Sequence, residues 1–182
     1  MKRRQLLAGL ASGGVLGGAG LVATGTVPNS ASNGSETSES VEPTTIDTIE
    51  APGSRDGEVT IPADNQATFV DFFGTWCPPC VEQMPALGEA EDRIGDEVLF
   101  VSVTTEDVGG SLSEETVVEW WRENDGDWLV AADVTAELAA KLNVGYYPTA
   151  VAIDAAGRVQ WSESGVHTAD EIVAGIETAL DA

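Results

Sequence analysis

The fold is decided by one stretch of the chain, Phe69-Val70-Asp71-Phe72-Phe73-Gly74-Thr75-Trp76-Cys77-Pro78-Pro79-Cys80. The mostly apolar run before Gly74 predicts a buried central strand over Thr68–Phe73, and the residues after Cys77 predict a helix over Pro78–Ile94. Cys77 then lies at the N-terminus of a helix, where free backbone N–H groups and the helix dipole favour a thiolate. A thiol at such a position has its pKa lowered from about 8.5 to between ~3.5 and ~7.5.

This position makes Cys77 the expected nucleophile of a disulfide exchange. Cys77 attacks a substrate disulfide and Cys80, one turn on, resolves the mixed disulfide, so the pair cycles without a cofactor. The chain has only these two cysteines, whereas a structural disulfide framework uses more and a cysteine-only zinc site usually needs four. We therefore predict a redox disulfide, Cys77–Cys80, and no metal site.

Strand and helix patterns alternate along the rest of the chain. Further strands are predicted at residues 44–49, 58–61, 98–103, 128–132, 150–153 and 159–162. Further helices are predicted at residues 113–124 and 135–142 and after the capping box Thr168-Ala169-Asp170-Glu171. The apolar positions expected to face the core are Val81, Met84, Leu87 and Ile94 in the first helix and Ile172, Ile176 and Leu180 in the last. This order predicts an α/β domain, a central mixed sheet with helices on both faces.

The quoted stretch, continued through Val81-Glu82-Gln83-Met84-Pro85, resembles the active-site segment of the thioredoxin superfamily. Within that superfamily it is most similar to the exported TlpA/ResA-type thiol-disulfide oxidoreductases. A second signature, Tyr146-Tyr147-Pro148-Thr149 followed by a strand, resembles the cis-proline loop that faces the redox pair in that family. The resemblance covers residues 45–182 and implies a thioredoxin-like fold there.

The resemblance also implies roles for matching residues. Pro148 matches the cis-proline, whose loop from Tyr147 to Thr149 binds the substrate chain; the alternative is a trans proline in a turn. Trp76 matches the aromatic residue before the first cysteine; its other role, which is compatible with this one, is that of a partly buried packing residue. Asp71 matches the buried acid of thioredoxin, which assists proton transfer with the resolving cysteine. Burial in an apolar strand is expected to raise its pKa; the alternative is a solvated strand aspartate.

One position departs from the family pattern. The family often has a glutamate three residues after the second cysteine, where this chain has Gln83. Glu82 cannot replace it, because the two positions lie about 100° apart around the helix. His167 is the only histidine and directly precedes Thr168, so we expect it at the surface or beside the helix cap rather than in catalysis.

Acidic residues dominate the composition. There are 31 acidic and 8 basic residues, and three of the basic ones are residues 2–4. Such self-repulsion is largely screened in molar salt, where the Debye length is about 3 Å, so the composition is typical of a protein from very salty surroundings. Nucleic acid is excluded as a partner because the positive footprint for phosphate is absent. We expect residues 106–125 to form a solvated acidic segment. At least two of Trp120, Trp121 and Trp128 are expected in the core, and an exposed one would be a contact for a partner.

The N-terminal part predicts export. Lys2-Arg3-Arg4 precedes a weakly apolar, glycine-rich run at residues 6–27, a pattern similar to a twin-arginine signal. The segment 1–27 is either cleaved or kept as a membrane anchor, since 22 residues can span a bilayer. Residues 28–44 predict a flexible linker rich in Ser, Thr and Glu, and Asn33 begins a glycosylation sequon.

Three functions remain open from the sequence. The first is an exported thiol-disulfide oxidoreductase, a monomer acting on protein thiols and disulfides. The resemblance implies a reductant with dedicated clients, such as the haem-site cysteines of apocytochrome c, and a membrane electron donor. The second is a copper-handling module that uses both thiols, for which Met84 is the only nearby further ligand. The third is a non-catalytic interaction domain.

Overall fold

Seven strands and four α-helices make up residues 39–182, the part of the chain that the computed structural model describes. The strands are β1 (Thr44–Thr48), β2 (Gly57–Ile61), β3 (Thr68–Phe73), β4 (Leu99–Thr104), β5 (Leu129–Ala132), β6 (Thr149–Ile153) and β7 (Val159–Ser164). The helices are α1 (Pro78–Ile94), α2 (Glu114–Glu123), α3 (Glu137–Lys141) and α4 (Ala169–Leu180). The bounds predicted for β3 and α1 are confirmed, and the others agree within two residues. The predicted signal or anchor at residues 1–27 and the sequon at Asn33 lie outside the described residues.

The strands form one mixed sheet in the order β2-β1-β5-β4-β3-β6-β7. Strand β3 pairs in parallel with β4 and antiparallel with β6, and β4 pairs in parallel with β5. All six side chains of β3 are buried, as expected for a strand covered on both faces. The mixed α/β sheet that the sequence predicts is therefore confirmed.

Two apolar clusters lie on opposite faces of this sheet. Phe69 and Phe73 belong to the cluster that α1, α2 and α4 cover. Val70 and Phe72 belong to the cluster that includes α3. Because successive side chains of a strand point to opposite faces, β3 supplies both clusters in alternation. The helices thus lie on both faces of the sheet.

The buried face of α1 differs from the predicted one. Met84, Leu87 and Ile94 are buried as expected, but Val81 is 41% exposed. The buried stripe instead begins with Cys80 and Gln83, whose residue types give no apolar signal in a sequence pattern. In α4 the capping box is confirmed and Ile172 and Ile176 are buried, whereas Leu180 at the last position is exposed.

Trp120, Trp121 and Trp128 all lie in the core. Trp121 packs against Trp128 with ring centroids 4.9 Å apart, and its indole N–H donates to the Pro52 carbonyl at 3.0 Å. The Trp128 indole N–H donates to the Ser102 hydroxyl at 2.9 Å. Each of these two buried indoles therefore has a hydrogen-bond partner, as burial requires.

Ordered contacts begin before β1. The Val41 N–H donates to the Gly157 carbonyl at 2.8 Å, and the Val41 side chain packs on the core beside α3. Within residues 39–182, none of the helices is both long and apolar enough to cross a membrane.

The turn between β6 and β7 is built around a buried carboxylate. Asp154 is 1% exposed and accepts hydrogen bonds from the backbone N–H groups of Ala156 and Arg158 and from the side chains of Arg158 and Gln160. Burial alone would raise the pKa of Asp154, but these hydrogen bonds outweigh it and hold the pKa below its ordinary value. The ionised carboxylate is thus a structural part of the hairpin.

Replacing Asp154 with Asn is expected to lower the free energy of unfolding by about 2–3 kcal/mol at pH 7, because an amide cannot accept all of these hydrogen bonds. A group whose pKa is lowered in the folded state stabilises above its unfolded pKa and loses that effect as the pH falls through the folded value. The difference between wild type and variant should therefore shrink below about pH 4. Guanidinium unfolding of both proteins as a function of pH measures this difference in the free energy of unfolding. Asp56→Asn, at an exposed turn position, is the control and should change the stability by less than about 0.5 kcal/mol.

Candidate active site

Cys77 and Cys80 form a disulfide at the start of α1, with their Cα atoms 5.3 Å apart. Cys77 is the N-cap residue, and its Sγ accepts the Cys80 backbone N–H at 3.3 Å. Pro78 and Pro79 fill the first two helical positions and have no N–H to donate. The Cys80 N–H is therefore the first N–H of the helix available to the Cys77 sulfur.

The turn before Cys77 is held by Glu106. Within this turn the Cys77 N–H donates to the Gly74 carbonyl at 3.1 Å. The Glu106 carboxylate accepts the Thr75 N–H at 2.7 Å, the Thr75 hydroxyl at 2.9 Å and the Thr104 hydroxyl at 3.1 Å. Glu106 is partly buried, so the expectation of a solvated segment from residue 106 is wrong at this residue. Glu106 lies just past the C-terminal end of β4, the parallel neighbour of β3. It is therefore at the same end of the sheet as the turn that carries Cys77.

The second signature lies beside the first. The Tyr147–Pro148 peptide bond is cis, so the alternative of a trans proline is excluded. Tyr147 packs against the cluster that contains both cysteines and meets Trp76 edge-on, with ring centroids 5.9 Å apart. Its hydroxyl is hydrogen-bonded to that of Thr105. The Thr149 hydroxyl donates to the Tyr146 carbonyl at 2.8 Å and so ties the end of the loop back on itself.

Asp71 is buried in the middle of β3, 1% exposed. It lies between Phe69 and Phe73, whose side chains share one cluster with both cysteines, so the alternation of a strand directs Asp71 to the same face. Burial raises the pKa of Asp71 to about 7, although a hydrogen bond from Ser102 opposes the rise. The predicted rise in the pKa of Asp71 is confirmed, and the alternative of a solvated strand aspartate is wrong.

The sequence matches the Redoxin family over residues 48–180. That range is more than half of the chain and includes the Cys77–Cys80 pair and the cis-Pro148 loop. The chain belongs to the Redoxin family.

Curated relatives of this Redoxin-family chain are named thiol-disulfide oxidoreductases. The sporulation thiol-disulfide oxidoreductase A of Bacillus subtilis is 24% identical over 116 residues, which are 63% of this chain and 69% of that protein. The thiol-disulfide oxidoreductase ResA of Geobacillus kaustophilus is 29% identical over 117 residues, 62% of this chain and 63% of that protein.

Solved structures agree on the fold. StoA from Bacillus subtilis has a TM-score of 0.62 and 23% identity, with 74% of this chain and 96% of StoA covered. The exposed lipoprotein thioredoxin Etrx1 of Streptococcus pneumoniae has a TM-score of 0.63 and 20% identity, with 75% and 98% covered. The thioredoxin-like fold that the resemblance implied is thereby confirmed for this redoxin.

Gln83, at the family's glutamate position, acts as a clamp between α1 and the segment before α4. Gln83 is 2% exposed. Its Oε1 accepts the His167 N–H at 2.7 Å, and its Nε2 donates to the His167 carbonyl at 3.3 Å. Two residues earlier, the Gly165 N–H donates to the Pro148 carbonyl at 2.9 Å. A neutral amide satisfies both groups of His167, which a carboxylate cannot do. His167 is thus beside the helix cap, as expected, and is tied to the site through its backbone.

Exposed apolar side chains lie next to both signatures in the chain, and we call this set the apolar rim. Six large apolar side chains of residues 39–182 are exposed. Three of them are site residues or adjoin one, and a fourth, Val166, follows Gly165, whose N–H donates to the Pro148 carbonyl. This rim consists of Trp76, Val81, Tyr146 and Val166. Trp76 and Tyr146 are 67% and 77% exposed, so Trp76 is mainly exposed and contacts Tyr147 with its edge. Val81 was predicted to be buried and Val166 was not singled out, because a single valine gives no sequence signal for a contact surface.

No group of three or more His, Cys, Asp or Glu side chains within residues 39–182 is arranged to hold a metal ion.

Replacing Asp71 with Asn is expected to stabilise the protein at alkaline pH. A carboxyl group whose folded pKa is about 7 rather than 3.8 binds more protons in the folded state, so stability falls as the pH rises between these values. The variant lacks this loss and should be more stable by about 4 kcal/mol at pH 8, with little difference at pH 4. Thermal or guanidinium unfolding at both pH values measures it. An equal stability difference at pH 4 and pH 8 would contradict a raised pKa for Asp71.

Proposed function

We propose that this thiol-disulfide oxidoreductase works outside the cytoplasmic membrane as a reductant of protein disulfides. The observation that carries the proposal is the Cys77–Cys80 pair at a helix N-terminus, beside the cis-Pro148 loop and next to exposed side chains of the apolar rim. An electron donor at the membrane reduces the pair again after each cycle.

The exchange proceeds in two displacements. The Cys77 thiolate attacks one sulfur of a client disulfide; a Cys77–client bond forms and the other client sulfur leaves as a thiolate. Cys80 then attacks the Cys77 sulfur, the Cys77–Cys80 disulfide forms and the second client thiolate leaves. The client gains two electrons and the Cys77–Cys80 pair loses them. Asp71 takes the proton that Cys80 must lose, and a carboxyl group that titrates near pH 7 suits this transfer.

The rim supports a protein as the substrate. The exposed side chains of Trp76, next to Cys77, and of Tyr146, next to Tyr147, offer apolar contact area. Tyr147, Pro148 and Thr149 supply the loop on which a client backbone binds. We therefore propose that the client presents its cysteine in an extended, apolar segment.

Two features of the site support a reductant. A strongly stabilised thiolate makes an oxidant, as in DsbA. Here Pro78 and Pro79 remove two of the N–H groups that would stabilise a Cys77 thiolate. The Glu106 carboxylate is also held against Thr75, two residues from Cys77, and its charge opposes a second negative charge nearby.

Export and high salt complete the proposal. We propose that residues 1–27 form a twin-arginine-type signal, either cleaved or kept as an anchor through residues 6–27, and that Asn33 in the linker is a glycosylation acceptor. The excess of acidic residues supports function in concentrated salt as a monomer. Beyond residue 38 the chain has only five Lys and Arg residues, and three of them, Arg93, Lys141 and Arg158, are ion-paired.

Single cysteine variants test the function. Cys77→Ser should lose insulin-reducing activity by a factor on the order of 10³ or more, because it removes the nucleophile. Cys80→Ser should hold clients as mixed disulfides on Cys77, since the resolving thiol is gone, and mass spectrometry identifies them. The two variants control for each other, because both remove one sulfur from the same helix end. Unchanged insulin reduction by Cys77→Ser would refute the assignment.

The redox potential tests whether the protein reduces or oxidises its clients. Equilibration with glutathione or dithiothreitol should give a potential in the range of thioredoxin, about −270 mV. Pro79→Ala adds one backbone N–H at the start of α1, worth about 1 kcal/mol to a thiolate, and should raise the potential by roughly 20 mV. A wild-type potential near −120 mV, the value of DsbA, would contradict the proposed reductant and favour disulfide formation.

A further inference from the structure

The Asp71 carboxyl group has two unequal oxygens. Oδ2 accepts the Ser102 hydroxyl at 3.5 Å, whereas Oδ1 is buried without a hydrogen-bond partner among the described residues. A buried polar atom without a hydrogen-bond partner lowers the stability of the folded state, so its presence calls for an explanation such as a catalytic role. Protonation occurs most readily at the oxygen that does not already accept a hydrogen bond, which is Oδ1.

Ser102 is itself held by Trp128. Ser102 is fully buried and stands directly opposite Asp71 in the parallel β3–β4 register. Its hydroxyl oxygen accepts the Trp128 indole N–H at 2.9 Å. An indole N–H can only donate, so Ser102 must serve as the acceptor for Trp128. The single proton of the Ser102 hydroxyl is then free for Asp71 Oδ2.

We propose that Ser102, oriented by Trp128, is a positioning residue that reserves Oδ1 of Asp71 for the proton exchanged with Cys80. The inference rests on the proposed function, in which Asp71 takes the proton from Cys80. Trp128 sets the direction of the Ser102 hydroxyl, and Ser102 supports the ionised form of Asp71. The chain Trp128–Ser102–Asp71 thus connects the aromatic core to the buried carboxyl group.

The other ionisable or polar groups of the site have partners of their own. Cys77 and Cys80, at the start of α1, are bonded to each other. Beyond β4, Glu106 is engaged by Thr75 and Thr104, and before α4 the backbone of His167 is clamped by Gln83. Burial raises the pKa of Asp71, and the hydrogen bond from Ser102 lowers it.

The step that this arrangement assists is the second displacement. Cys80 loses its proton to Oδ1 of the Asp71 carboxylate as its sulfur bonds to Cys77, and the Cys77–client bond breaks. The electron pair of that bond leaves with the client sulfur. In the reverse direction the proton on Oδ1 returns to Cys80. A hydrogen bond from Ser102 to the carboxylate lets Asp71 accept the proton at lower pH than it otherwise could.

Nuclear magnetic resonance of the reduced protein tests the chain without reference to activity. In wild type, the Nε1–H signal of Trp128 should titrate with the same midpoint as the Asp71 carboxyl carbon. In Ser102→Ala the Asp71 midpoint should move to higher pH by about one pH unit, and the Trp128 signal should cease to follow it. Ser102→Thr keeps a hydroxyl at this position and should restore both behaviours. Trp128→Phe assigns the indole signal.

Single-turnover kinetics test the consequence for the reaction. The measured step is the release of a client thiol from a mixed disulfide on Cys77, as a function of pH. For Ser102→Ala the profile should move to higher pH by the same amount, so that release at pH 7 is roughly five-fold slower. In the background of Asp71→Asn, the Ser102→Ala change should leave the profile unmoved.

The outcomes are distinct. Coincident shifts of the Asp71 midpoint and of the rate profile support the proposal. An Asp71 midpoint that Ser102→Ala leaves unchanged overturns the role of Ser102, while the proton role of Asp71 still stands. A midpoint that moves without the rate profile overturns the proton role of Asp71 and this inference with it, while disulfide exchange by the cysteine pair still stands.

Discussion

Strand β3 is hydrogen-bonded to neighbours on both edges and covered by side chains on both faces, and the rest of the site depends on this burial. No residue of Thr68–Phe73 has access to solvent, so a carboxyl group placed there must change its pKa or find a partner. Asp71 does both, with a pKa near 7 and one hydrogen bond from Ser102. The same strand ends at the turn that presents Cys77, so its position places both Cys77 and Asp71, the nucleophile and the proton acceptor of the proposed mechanism.

The surroundings of the disulfide are apolar or acidic. Two prolines leave Cys80 as the first N–H donor to the Cys77 sulfur, and Glu106 holds the preceding turn through Thr75. Both features limit the stabilisation of a thiolate, which is the physical quantity that separates reductants from oxidants in this chemistry. Gln83 has a structural role. The His167 N–H requires an acceptor and the His167 carbonyl requires a donor, and the amide of Gln83 supplies both. At this position an amide fits where the family often has a carboxylate.

Local sequence signals predicted most of the fold and the two signatures of the site, the Cys-x-x-Cys segment and the loop at Pro148. The apolar run of β3, the Cys-x-x-Cys motif and the capping box Thr168–Glu171 each act within a few residues, so their structural outcome follows from neighbouring chemistry. Val81 was predicted wrongly, because the buried stripe of α1 includes Cys80 and Gln83, which no apolar pattern marks. Glu106 was taken for a solvated acid, since nothing near it in the chain indicates that Thr75 lies beside it.

By itself the sequence determined the pairing of Cys77 with Cys80 and the apolar strand that contains Asp71, since each is encoded by a contiguous motif. The family resemblance implied the cis-proline at Pro148, and the structure shows it together with the burial of Asp71. Only the tertiary structure decided how these motifs are joined. Glu106 meets Thr75 across 31 positions, Gln83 meets His167 across 84, and Trp128 reaches Asp71 through Ser102 on a separate strand. The physical reason is that a hydrogen bond between distant parts of the chain depends on the register of the sheet and the packing of the helices, which no local pattern specifies.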